Sequence, residues 1–207
     1  MSTAQIKIKN IFTYLIPSIV SNILPFISMP IITRFLLPRD FGIVALATST
    51  MTIVVTFFVF NVDYATQRYY FEHRESKEKV NNLLTTTFIY MAAMMLLLFP
   101  LVIILSGLIS AFVIGADNYS AVVVIAYISS CFSVLLNFML ILYRLMERSK
   151  EYSALTTVNV ITNFVLTMFM IAFLRMGYIG LVLAAMISQA IVFFITFSKF
   201  MKEFSGR

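Results

Sequence analysis

Six stretches of this chain carry no Asp, Glu, Lys or Arg over 21 to 24 residues: 10–33, 41–62, 83–105, 121–143, 154–174 and 176–198. A helix rises about 1.5 Å per residue and a bilayer core is about 30 Å thick, so each stretch is long enough to cross as a helix. With 61 % hydrophobic residues and only 12 % charged, the 207-residue chain lies far from soluble composition. The reading is an all-α integral membrane protein, one unit over residues 1–207, with six spans at about 11–36, 41–62, 83–105, 121–143, 154–174 and 176–198. The lone Cys131 has no disulfide partner, and the lone His73 has no second His or Cys beside it for a zinc site. No metal or cofactor is expected. The net charge of +6 resides in short segments beside the spans, which fits lipid headgroups and topology better than nucleic acid.

Basic residues near span ends are retained in the cytoplasm. Lys7, Lys9, Arg68, Arg74, Lys77, Lys79, Arg144, Arg148, Lys150, Lys199, Lys202 and Arg207 fall on one side, and Arg34, Arg39 and Arg175 on the other. Twelve against three puts both termini in the cytoplasm and the 106–120 loop outside. The first stretch is too long, and lacks the small-residue cleavage site, to be a signal peptide. It holds Pro17, Pro25 and Pro30, which free the carbonyls of Thr13, Ser21 and Phe26. Such a helix is expected to bend and face protein or a wet cavity. Pro100 does the same to Leu96 in the third span.

Small polar residues recur at helical spacing inside the spans. The first offers Ser18, Ser21, Asn22 and Ser28; the second Thr48, Thr52 and Thr56, leading to Asp63 and Gln67; the fourth Ser130, Ser133 and Asn137, leading to Arg144; the fifth Asn159, Thr162 and Asn163. Each one alone is explained by hydrogen bonding between helices. Stripes on four spans point to a shared hydrophilic interior. No acidic residue lies within a span, and the ionisable groups nearest membrane depth are Arg34, Asp63, Arg68 and Arg144. Guanidinium groups bind phosphate oxygens bidentately and stay charged, so this balance suits a phosphate-bearing substrate. Arg68 is the foremost candidate, because 63–71 continues the second span as a helix with Asp63 and Gln67 four apart; the alternative is an ion pair with Glu72. Glu75 and Lys79 share helical spacing in a solvated connector, Asp40-Phe41-Gly42 matches a kinase triplet by chance, and Asn118-Tyr119-Ser120 is a weak sequon. Nothing supports enzymatic chemistry.

The run Pro30-Ile31-Ile32-Thr33-Arg34-Phe35-Leu36-Leu37-Pro38-Arg39-Asp40-Phe41-Gly42 resembles the junction of helices one and two in bacterial polysaccharide export proteins, the O-antigen and capsule repeat-unit flippases of the multidrug/oligosaccharidyl-lipid/polysaccharide superfamily. Asn61-Val62-Asp63-Tyr64-Ala65-Thr66-Gln67-Arg68-Tyr69-Tyr70 is similar to the end of that family's helix two, and Met176-Gly177-Tyr178-Ile179-Gly180-Leu181 to its glycine-rich turn between helices five and six. Two positions depart: Asn61 stands where the family has Gly, a change Asn tolerates in a left-handed turn, and Leu37 replaces the Gly before Pro38.

The resemblance implies a six-helix lobe, the N-terminal half of a two-lobe exporter in the bacterial inner membrane, completed by a C-terminal lobe or a second copy. Its substrate would be an undecaprenyl-pyrophosphate-linked oligosaccharide, moved outward by alternating access. Arg34 and Arg68 match family arginines and would attract pyrophosphate or acidic sugars; Asp63, Gln67 and Arg144 are further substrate-binding candidates, and Ser21, Asn22, Thr52, Asn137 and Asn163 would bond sugar hydroxyls. The rivals are a cation-coupled multidrug exporter lobe and a non-transporting membrane scaffold. Residues 41–47 and 179–185 are also alike, at an offset of 138 positions, which hints at a repeated hairpin.

Overall fold

The computed structural model describes the backbone of residues 3–73 and 76–205, and the side chains of Pro17, 19–73, 76 and 78–201. Glu75 of the Glu75–Lys79 pair, and the side chains of Lys7, Lys9, Ser18, Arg74, Lys77, Lys202 and Arg207, lie outside that description. Among the described residues seven α-helices follow one another: α1 (Thr3–Ile32), α2 (Pro38–Val59), α3 (Val62–Glu72), α4 (Lys77–Val113), α5 (Ser120–Leu145), α6 (Ser149–Met168) and α7 (Gly177–Ser205). A short 3-10 turn, Asp117–Tyr119, precedes α5, and a π turn, Phe169–Phe173, extends α6. Five helices among the described residues are long and apolar enough to cross a membrane, and α1 contributes a shorter apolar stretch, Ile19–Ile32.

The helices end where local chemistry stops them. α1 runs unbroken through its three prolines and then unwinds, with Thr33 Oγ1 donating back to the Met29 carbonyl at 2.9 Å. Pro38 opens α2 at a position where no amide donor is needed, and the Asp40 carboxylate accepts the Leu37 N–H at 2.9 Å. Ile43, Ala47, Met51, Val55 and Val59 recur every four residues and give α2 one buried face. Phe60 and Asn61 are both left-handed, φ 56° and 47°, so 63–71 is a separate helix and not a continuation of α2. The sequence fits this break, since Asn is the residue after Gly that best accepts such a turn.

α4 is longer than its 83–105 stretch and continues through most of the supposed 106–120 loop. The uncharged run extends from 80 to 116, and neither Gly107 nor the serines supply a stop. Gly115, at φ 84°, provides the reversal. Ser110 is fully buried there; its hydroxyl donates to the Ala116 carbonyl and accepts from Tyr119 N–H at 3.2 Å.

α5 is the central helix. Half of its span is buried, against 22–39 % for the other four spans, and it packs on α7, α2, α4 and α6. Tyr127, Phe138, Met139 and Leu136 fill the core with Met51, Leu84 and Met91. The Tyr127 hydroxyl donates to the Met95 carbonyl at 2.6 Å, which satisfies a polar group in an apolar layer. Phe88 stacks on Phe193 and Phe197, pinning α4 to α7. α1 packs chiefly on α6. At the far end of that pair Ile32, Leu36 and Ile171 cluster with Phe41, Met168 and Leu181, joining the α1–α2 turn to the α6–α7 turn. The two similar segments, 41–47 and 179–185, therefore lie in the first turns of α2 and α7, which pack on each other as α1 packs on α6.

Candidate functional site

Three helix ends border an open cavity of about 710 Å³, lined by Tyr64, Gln67 and Phe71 of α3, Ile141, Arg144 and Leu145 of α5, Glu147 of the following turn and Tyr152 of α6. Positions 64, 67 and 71 share one face of α3, because three and seven residues are one and two turns. Thr66 and Tyr70 occupy the neighbouring face and are buried; Thr66 Oγ1 lies 2.8 Å from Thr87 Oγ1 of α4. One hydroxyl pair thus fixes which side of α3 meets the cavity. On the other wall, Arg144 and Asn137 are exposed and two turns apart on α5, with half-buried Ser133 one turn further along.

The turn between α5 and α6 is tight. Glu147 adopts φ 58°, its N–H bonds the Arg144 carbonyl at 3.0 Å, and the Arg148 N–H bonds the Tyr143 carbonyl at 2.9 Å. This reversal sets the Arg144 Cζ 5.6 Å from the Tyr152 ring centroid, a cation–π distance that aligns the guanidinium with an aromatic wall. Arg148 turns elsewhere, toward Tyr143 at 5.8 Å and Glu151 at 3.5 Å. In one concave space a guanidinium, an amide and two phenols can donate to an oxyanion, and a carboxylate can accept from hydroxyls, so the site can hold a ligand that keeps its oxyanion at Arg144 and its hydroxyls toward Glu147.

Of the ten residues singled out in the sequence, the cavity gathers Gln67 and Arg144. Asp63 lies in the first turn of α3, where a carboxylate suits the helix dipole. Arg68 does not line the cavity; its side chain is 82 % exposed, and its Nε is 3.4 Å from Glu72 Oε1, the alternative pairing. Arg34 lies at the other end of the bundle: Tyr152 and Ile171 are separated by about 30 Å of helix and π turn at about 1.5 Å per residue, and Arg34 neighbours the Ile171 cluster. Thr52 Oγ1 is 3.1 Å from Ser130 Oγ, and Asn163 Nδ2 donates to Ser188 Oγ at 3.2 Å, so these two join helices. Ser21 is half-buried and Asn22 exposed on α1. Tyr64, Phe71, Glu147 and Tyr152 escaped the sequence reading; the 64/67/71 periodicity was a usable signal for two of them. Gln189, which accepts the Ser129 hydroxyl at 3.0 Å, was also overlooked, although it is the one amide in its span.

A family model described as polysaccharide biosynthesis protein matches residues 8–207. The chain belongs to that family. No curated protein and no solved structure matches it. Family membership and the apolar helices together make this a multi-pass membrane protein of polysaccharide biosynthesis.

Proposed function

We propose that the chain is the N-terminal lobe of a flippase that moves undecaprenyl-pyrophosphate-linked oligosaccharide repeat units across the bacterial inner membrane by alternating access. In this reading α1, α2, α4, α5, α6 and α7 are six spans, both termini are cytoplasmic, and a C-terminal lobe or a second copy closes the path. No chemistry is performed on the substrate. The observation that carries the reading is the concave site that joins Arg144 and Gln67 to Tyr64 and Tyr152. It lies at the end of the bundle that the basic-residue count assigns to the cytoplasm, where a lipid-linked precursor would enter. Arg144 would hold pyrophosphate, while Gln67 and the phenols would meet the first sugar. Asn137, and Ser21 and Asn22 across the bundle, would offer further hydroxyl partners as the glycan advances; Asp63 and Arg68 would act near the entrance.

A charged hydrogen bond contributes about 1.5–3 kcal/mol, roughly ten- to a hundredfold in binding. Arg144→Ala in the complete transporter should therefore lower surface polysaccharide by at least about tenfold at unchanged membrane abundance, and Arg144→Lys should restore little because the planar fork is lost. Normal polysaccharide in Arg144→Ala refutes the assignment. The Thr52–Ser130, Ser129–Gln189, Asn163–Ser188 and Thr66–Thr87 bonds favour a second reading, a scaffold whose polar groups only pack helices. Cysteines placed at Asn137 and Ser133 in a Cys131→Ala background separate the two. A water-soluble thiol reagent labels them in a transporter and leaves them unmodified in a scaffold buried in lipid.

A further inference from the structure

The bundle end remote from the cavity gathers the three basic residues that the charge count separates from the other twelve. Arg34 and Arg39 flank the α1–α2 turn, and Arg175 forms the α6–α7 turn that the Ile32, Leu36 and Ile171 cluster holds beside it. All three are exposed, and among the described residues none makes an ion pair. The one carboxylate on these turns, Asp40, is engaged by the Leu37 N–H.

Arg175 is the informative member. Its φ is +50°, a left-handed conformation that costs a non-glycine residue about 1 kcal/mol. Glycine serves the same need two positions later, where Gly177 has φ +60°. At Arg175 that conformation closes the end of the π turn, where the Met176 N–H reaches the Met170 carbonyl at 3.1 Å, while the guanidinium itself has no ion-pair partner among the described residues. Its neighbours are apolar and exposed: Phe173 at 79 %, Leu174 at 52 % and Met176. Across the junction Phe35 and Leu37 do the same beside Arg34 and Arg39. Guanidinium groups set among exposed apolar side chains match the boundary of a bilayer, with rings and aliphatic groups in the acyl region and cations at phosphate depth. Two helices, α2 and α7, begin here; Asp40 already occupies the first turn of α2, whereas α7 carries no acidic residue in its first turn, so its backbone dipole adds to the attraction for an anion.

We propose that this corner is a binding site for the phosphate of an anionic phospholipid headgroup, held by Arg34, Arg39 and Arg175 and seated by Phe35, Leu37 and Phe173. It is separate from the cavity and independent of what that cavity carries.

The test uses the purified full chain in neutral detergent, titrated with phosphatidylglycerol, phosphatidylcholine or inorganic phosphate, with lipid retention and thermal stability as readouts. Wild type should retain phosphatidylglycerol in preference to phosphatidylcholine. Arg175→Gly should bind phosphatidylglycerol at least about tenfold more weakly, the loss expected of one charge-assisted contact, yet match or exceed wild-type stability without lipid, because the strained backbone is relieved. Arg34→Gln with Arg39→Gln should weaken retention further, and Lys199→Gln, at the opposite end, should leave it unchanged. Unaltered phosphatidylglycerol binding in Arg175→Gly overturns the proposal. So does a loss of lipid-free stability in that variant, an equal loss of binding in Lys199→Gln, or full displacement of the lipid by inorganic phosphate.

Discussion

The hydroxyl pair between Thr66 and Thr87 orients one wall of the cavity, and its contribution can be worked out. Thr66 is 1 % and Thr87 4 % exposed, with their oxygens 2.8 Å apart. Thr66 Oγ1 also donates to the Val62 carbonyl at 2.9 Å. Its single hydrogen is committed there, so Thr87 is the donor between the helices. Thr66→Val keeps the shape and removes the acceptor. Hydrogen bonds between membrane helices average about 0.6 kcal/mol and reach about 1.7, which is roughly a threefold to twentyfold change in an opening equilibrium. α3 has 11 residues, fewer than the roughly 12–15 that an isolated helix needs, so the loss should appear first as local opening of α3. Hydrogen exchange in nanodiscs should show α3 amides exchanging roughly three to twenty times faster in Thr66→Val, with α5 unchanged. Thr66→Ser should behave as wild type, and adding Thr87→Val to Thr66→Val should cost little more. Unchanged α3 exchange in Thr66→Val, or equal acceleration in α5, would refute the argument that this pair docks α3.

Gly180 and Gly42 occupy matching positions in the two hairpins but answer differently to a side chain. A Cβ at Gly180 would lie 3.1 Å from Met176 Cβ and 3.3 Å from Met170 Cβ, whereas Gly42 has nothing within 4 Å. Gly180→Val should lower stability by about 1–3 kcal/mol through overpacking, and Gly42→Ala should raise it by up to about 1 kcal/mol through helix propensity; thermal melts of the purified chain decide both. Asn61→Gly relieves a left-handed residue at φ 47° that is exposed, and the same melts should show a stability equal to or above that of wild type.

Charge-free length revealed most of the fold, because burying an ionised group in hydrocarbon is costly enough to mark every span. It marked helix ends poorly. Nothing in 106–113 obliges a helix to stop, so α4 exceeds its expected bounds, while the break at Phe60 and Asn61 depends on two backbone angles that periodicity does not encode. The site was half legible. Arg144 and Gln67 stood out as polar residues at span ends, but their meeting depends on how α3 docks and on the reversal at Glu147. Tyr64 and Tyr152 look like ordinary interfacial aromatics until that packing is known. Thr52 and Asn163 show the converse: a polar stripe on one helix carries no sign of whether a neighbouring helix already supplies its partner.

The α1–α6 pairing has a consequence for biosynthesis. α1 finds its principal support in α6, so at about 5–20 residues per second it must wait roughly 7 to 27 seconds after its own synthesis for that partner. During that interval a hydrophobic segment interrupted by three prolines has no permanent neighbour to lean on. α2, though joined to it through the Pro38 turn, packs on α5, α4 and α7 and offers it little support, so insertion chaperones or lipid must hold it until translation delivers α6.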